Sequence, residues 1–121
     1  MRVLVTGANG YLGKCVVTQL LDDGIEVVAT DLNDSYIDKR ATVALSNLFE
    51  LDNPFEYFGR PDVLLHMAWR DGFVHGSMNH INDLPNHMCF INKMIQAGVK
   101  QVAVMGSMHE VGFYEGSINE N

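Results

Sequence analysis

Positive charge is what this sequence has least of. Eight Lys and Arg stand against fifteen Asp and Glu in 121 residues, a formal net charge of −7. Nucleic acids and anionic membrane surfaces are bound through clustered Lys and Arg that neutralise phosphate, so neither is expected as a partner. Long apolar runs are missing as well. Val102-Ala103-Val104-Met105 is among the longest, far short of the roughly 20 residues that a membrane helix requires. The opening Met1–Val5 reads as a strand and has neither the longer apolar core nor the cleavage site of a signal peptide. Cysteine is scarce: Cys15 and Cys89 lie far apart, each inside an apolar helical pattern. They are expected to be buried free thiols in a reducing compartment, the cytoplasm, which excludes a disulfide frame or a zinc site. There is no repeat, low-complexity tract or linker. The 47% hydrophobic content is ordinary for one packed domain over residues 1–121.

Short apolar strand candidates alternate with longer helical patterns, which is the pattern of a parallel sheet covered on both faces. Strands are expected at 2–6, 25–30, 42–45, 62–66 and 101–105, with a short helix or turn at 53–58. The first helix is expected at 11–22, where Leu12, Cys15, Val16, Gln19 and Leu20 share a face. The segment 70–79 has loop composition. A long helix is expected from about Ile81, or nearer Asp83 because Pro85 is tolerated only in a first turn, to Ala97. Leu84, Met88, Ile91 and Ile95 form one apolar stripe on it and Phe90, Met94 and Ala97 a second, so burial on two sides is expected. The fold class that follows is α/β, a Rossmann-type doubly wound, mostly parallel five-stranded sheet.

Between the first strand and the first helix runs Thr6-Gly7-Ala8-Asn9-Gly10-Tyr11-Leu12-Gly13. A glycine at 7 permits a sharp turn out of the strand. One at 10 clears room for a diphosphate against the backbone, and one at 13 permits close helix packing. The free amides of the helix start, with its dipole, then attract phosphate. Asp31 ends the second strand 24 residues after Gly7, near the roughly 20 expected for an acid that binds the adenosine ribose. A carboxylate there accepts from both ribose hydroxyls and repels a 2′-phosphate. No Arg follows at 32 or 33, so NAD rather than NADP is the expected cofactor.

The spacing Thr-Gly-x-x-Gly-x-x-Gly resembles that of the short-chain dehydrogenase/reductase superfamily, most closely its extended branch of NAD-dependent sugar-nucleotide epimerases and dehydratases. Leu64-Leu65-His66-Met67-Ala68 is similar to that branch's strand ending in His-x-Ala. The stretch from Gly98 through Gly112 is similar to its fifth strand and catalytic-serine segment. The resemblance implies that Gly7, Asn9, Gly10, Tyr11, Leu12 and Gly13 hold the diphosphate and that Asp31 and Leu32 hold the ribose. It implies further that Asn47 and Leu48 lie beside adenine, where the family often has an acid before the apolar residue. Met67, Ala68 and Trp69 would line the nicotinamide side, Trp69 standing where a small residue is usual. Ser107 would be the catalytic group that hydrogen-bonds the substrate's reacting oxygen, or a serine that merely ends a strand.

Relatives of this kind handle the proton with a Tyr and a Lys four residues later, on one helix face. Here Tyr11, Tyr36, Tyr57 and Tyr114 are followed at that spacing by Cys15, Arg40, Pro61 and Ile118, and none makes the pair. The resemblance therefore implies the amino-terminal NAD-binding portion of a longer enzyme. That enzyme would act on a nucleotide-linked sugar by hydride transfer through a keto-sugar, and the 121 residues alone would be inactive. The alternative is a non-catalytic NAD(P)-binding sensor or regulatory module. Apolar helix surface left uncovered would drive self-association into a homo-oligomer. Arg70-Asp71 reads either as a contact to a substrate diphosphate or as a solvated pair. No metal site is expected from the five histidines, which lack ligand spacing, and Ser107-Met108-His109-Glu110 lacks the nucleophile elbow of a hydrolase.

Overall fold

The computed structural model describes residues 1–68 and 78–104, apart from the side chains of 78–83. In chain order the elements are β1 (Arg2–Thr6), α1 (Tyr11–Asp22), β2 (Glu26–Thr30) and β3 (Thr42–Val43). A 3-10 turn (Leu48–Glu50), α2 (Pro54–Tyr57), β4 (Val63–His66), α3 (Met78–Ala97) and β5 (Gln101–Val104) follow. The strands form one sheet in the order β3-β2-β1-β4-β5, and every neighbouring pair is parallel. This is the doubly wound α/β architecture, and its order reverses at β1, between β2 and β4. Ligands in open sheets of this type bind in the crevice at the carboxyl ends of the strands beside such a reversal.

Strand side chains alternate between two cores, as the two-residue period requires. Val3, Val5, Val27 and Ala29 pack with Val17 on the α1 side. Leu4, Val28 and Leu64 pack with Phe58, Phe90 and Met94 on the α3 side. Because β1 is buried on both faces, it reads as a continuous apolar run with no alternation.

Several expectations need correction. The inward face of α1 is built by Gly13 and Val17, with Val16, Leu20 and Leu21 partly buried against the same core. Leu12 is instead 45% exposed, because the buried line is rotated from the one that its spacing to Cys15 and Gln19 describes. Cys15 and Cys89 are free but exposed rather than buried. Each lies two positions from a buried residue, Val17 and His87, and two positions put a side chain on roughly the opposite side of a helix. The expected two-sided burial of α3 is one-sided. His87, Phe90 and Met94 are buried, whereas Leu84, Met88 and Ile95 are exposed. The helix also begins earlier, at Met78, and contains Pro85 in its interior. A proline forfeits one main-chain bond, and packing of the following turns against the sheet offsets that local cost. β3 is shorter than expected and the 3-10 turn was not expected. Met105 and the expected loop residues 70–77 lie outside the described residues.

Candidate cofactor site

The chain leaves β1 at Gly7 with φ of 65°, a conformation that costs glycine little. A Cβ at Gly7 would stand 2.5 Å from the Met67 carbonyl oxygen, and one at Gly13 would stand 2.0 Å from the Gly7 carbonyl oxygen. Gly13 thus makes room for the loop's own main chain, folded back over the helix start. Gly10 is less confined, since its nearest neighbour to a Cβ would be that same oxygen at 3.3 Å. The turn is closed by Gly10 N donating to Gly7 O at 3.1 Å, and α1 starts with Lys14 N donating to Gly10 O at 3.0 Å. No side chain caps α1 and no acid lies in its first turn, so the amides of Tyr11, Leu12 and Gly13 precede the first helical bond without a capping acceptor. Tyr11 and Leu12 project their side chains outward, 72% and 45% exposed.

Of this turn, Gly7 and Gly10 border a cavity of about 500 Å³, lined also by Thr30, Asp31, Leu32, Ser46, Asn47, Leu48, Phe49, Met67 and Ala68; Tyr11, Leu12 and Gly13 are not in its lining. Its size lies within the roughly 300–1,000 Å³ of small-molecule sites. Asp31 contributes a carboxylate held by main-chain donors: Oδ2 accepts from Asn9 N at 2.9 Å and Oδ1 from Leu32 N at 2.7 Å. With one lone pair taken on each oxygen, both oxygens keep capacity to accept from a diol. The Asn47 side chain is committed locally. Its Oδ1 accepts from Phe49 N at 3.1 Å and its Nδ2 donates to Glu50 at 3.3 Å, so Leu48 and Phe49 supply the apolar wall at that end. Thr30 and Ser46, bonded through their hydroxyls at 2.8 Å, form part of the lining between Asp31 and that wall.

Behind Met67 runs a buried polar chain. Thr6 Oγ1 accepts from Met67 N at 2.9 Å and lies 2.8 Å from His66 Nδ1, and His66 Nε2 lies 2.7 Å from His87 Nδ1. Burial, followed by the proximity of His87, pushes the pKa of His66 down to about 3, so the ring is neutral. His87 in turn meets the edge of Phe49, ring centroids 4.9 Å apart.

Of the residues expected from the sequence, Gly7, Gly10, Asp31, Leu32, Asn47, Leu48, Met67 and Ala68 are gathered on this one cavity. Asn9 turns its side chain toward the loop after β2. Trp69, Ser107 and Arg70-Asp71 lie outside the described residues. Thr30, Ser46 and Phe49 were missed, because nothing local in their segments marks them: Thr30 adjoins Asp31 but reads as a strand residue, and Ser46 and Phe49 come to the cavity only through the fold of the chain after β3. Among the described residues no group of three or more His, Cys, Asp or Glu could hold a metal, and no helix is long and apolar enough to cross a membrane. The fit to a dinucleotide is in the cradle itself, an uncapped helix start and a diol-accepting carboxylate on one crevice.

Comparison with known proteins agrees with that geometry. A family model described as the NAD dependent epimerase/dehydratase family matches residues 3–120. The chain is 35% identical over 127 aligned residues to dTDP-6-deoxy-L-talose 4-dehydrogenase (NAD(+)) of Aggregatibacter actinomycetemcomitans, covering 100% of this chain and 47% of that protein. A UDP-glucose 4-epimerase from Thermotoga maritima, solved with UDP-glucose, superimposes with a TM-score of 0.71 at 22% identity, over 86% of this chain and 37% of its own. The Thermus thermophilus UDP-glucose 4-epimerase in complex with NAD gives a TM-score of 0.71 at 24% identity, over 95% of this chain and 42% of its own. The chain therefore spans less than half the length of these proteins.

Proposed function

Because the chain belongs to the NAD dependent epimerase/dehydratase family, we propose that it is the NAD-binding portion of an oxidoreductase acting on a nucleotide-linked sugar. The observation that carries this reading is the meeting of the glycine turn, the uncapped start of α1 and Asp31 on one cavity. The pyrophosphate is received by main-chain amides at the start of α1. The adenosine ribose is received by Asp31 and Leu32, adenine by the wall of Leu48 and Phe49, and the nicotinamide end by Met67 and Ala68. NAD held there would supply a hydride acceptor for oxidation of the sugar to a keto-sugar. Ser107 orients the sugar's reacting oxygen. The 35% identical relative, a sugar 4-dehydrogenase by name, supports oxidation at a sugar carbon as the chemistry.

No Tyr is followed by Lys at the fourth position anywhere in the 121 residues. The chain by itself accordingly binds cofactor without turning over substrate. That feature is also the one that favours the second reading, a non-catalytic NAD(P)-binding module. The exposed thiols fit the reducing cytoplasm.

Calorimetric titration with NAD and NADP tests the reading of the site. NAD is expected to bind at least tenfold more tightly, since Asp31 accepts from a ribose diol and repels a 2′-phosphate. A preference for NADP overturns the role given to Asp31.

A further inference from the structure

The loop from Leu32 to Tyr36 carries the residues that follow the ribose carboxylate, yet it has little packing to hold it. Leu32 is 72% exposed and Tyr36 68%. Burial resumes only at Ile37, 6% exposed. What holds the loop is a set of hydrogen bonds from one residue of the glycine turn. Asn9 Oδ1 accepts from Tyr36 N at 2.6 Å, and Asn9 Nδ2 donates to the Asn33 side-chain oxygen. Because a main-chain N–H only donates, the first bond fixes which end of the amide is oxygen and leaves the nitrogen to reach Asn33. The same residue's main-chain N–H donates to Asp31 Oδ2, and its neighbour Ala8 N donates to Thr30 O at 3.1 Å. The Asn33 oxygen also accepts from Ser35 N at 3.5 Å, at the edge of hydrogen-bond range. A second tether runs parallel to the first, with Lys14 Nζ 5.1 Å from the centre of the Tyr36 ring.

From this arrangement we infer that Asn9 is a positioning residue acting through Asp31: it locks the pyrophosphate-binding turn and the ribose-binding loop into one rigid unit. The inference rests on the reading of the cavity as an NAD site and adds to it a mechanical role. Both polar ends of the Asn9 side chain are taken up by Tyr36 N–H and Asn33. The side chain ties Asn33 and Tyr36, in the loop that Asp31 opens, to the turn, while the main-chain N–H of the same residue holds Asp31 itself, so that a dinucleotide meets both recognition elements at their correct separation without first ordering the loop.

The test uses the whole chain with two probes, NAD and inorganic pyrophosphate, the second reporting on the turn alone. Asn9→Ala is expected to weaken NAD by about tenfold, the equivalent of a lost hydrogen-bonded constraint, and to change pyrophosphate affinity by less than about twofold. Made in an Asp31→Ala background, the same substitution is expected to cost less than about twofold for NAD, as coupled residues require. Asn9→Ser, which keeps an oxygen directed at Tyr36 N–H, falls between wild type and Asn9→Ala and separates loop positioning from misfolding. NAD affinity unchanged in Asn9→Ala, an equal loss for both probes, or a full effect persisting without Asp31 each overturns the clamp. A folded wild-type chain that binds neither probe overturns the NAD reading itself, a result distinct from all of these.

Discussion

Gly13 and Gly10 belong to one motif but stand in different surroundings. A methyl group at Gly13 would meet main-chain atoms, the Gly7 carbonyl oxygen at 2.0 Å and Ala8 Cα at 3.0 Å, and no rotamer change relieves that overlap. At Gly10 the nearest atom would be 3.3 Å away. Gly13→Ala is therefore expected to destabilise the chain by about 1–3 kcal/mol through forced backbone movement and to abolish NAD binding. Gly10→Ala is expected to leave the melting temperature close to that of wild type. Thermal denaturation of the two variants side by side checks this, and equal melting temperatures would refute the assigned roles. The motif glycines and Asp31 were legible in the sequence because their types and spacing follow the strand–turn–helix–strand run that they punctuate. Asn47 was legible only as a position beside the cavity, since its use as a cap for the following 3-10 turn depends on how the chain folds after β3. Phe49 left no local signal at all. It faces the cavity because His87, from a helix nearly forty residues later, supports its ring edge.

At the scale of elements, short apolar runs placed the strands and helical spacing placed the helices, but neither set how each helix is turned. In α1 the sequence offers two overlapping apolar stripes. Contact with β1 and β2 selects the one through Gly13 and Val17, which leaves Cys15 outside. In α3 the buried line runs through His87, Phe90 and Met94, so a polar residue occupies a core position that the apolar pattern passes over. That residue joins β1, β4 and α3 through the Thr6–His66–His87 chain and gives the fold a pH dependence. His66 is held by burial at a pKa of about 3, against 6.5 for an ordinary histidine. Below pH 6.5 the unfolded chain takes up a proton that the folded chain refuses until about pH 3. The contribution of neutral His66 is thus complete above pH 6.5 and is lost as pH falls through that window, by up to about 1.4 kcal/mol per pH unit for one proton. Urea denaturation at pH 7.5, 6.0 and 5.0 should show the midpoint falling, with a shallower slope in His66→Gln. An identical slope in that variant would remove His66 as the cause.

For the whole molecule, the α3 stripe of Leu84, Met88, Ile91 and Ile95 is left largely uncovered, with only Ile91 packed against the core. Leu84, Met88 and Ile95 are 48%, 57% and 52% exposed, spaced along one side of α3 and turned away from the sheet. Apolar area in water costs about 25 cal/mol per Å², and contiguous exposed stripes on a small domain mark contact surfaces. The 121 residues correspond to less than half the length of the sugar dehydrogenase that they resemble. Self-association through the α3 stripe is expected at tens of micromolar, and light scattering coupled to gel filtration measures it directly. Met88→Glu combined with Ile95→Glu should return the chain to a monomer, because two carboxylates would have to be desolvated in the contact. The same pair should leave NAD affinity unchanged, because neither Met88 nor Ile95 lines the cavity. A wild-type chain that stays monomeric, or a double variant that loses NAD together with self-association, would show that the stripe is not an independent contact surface.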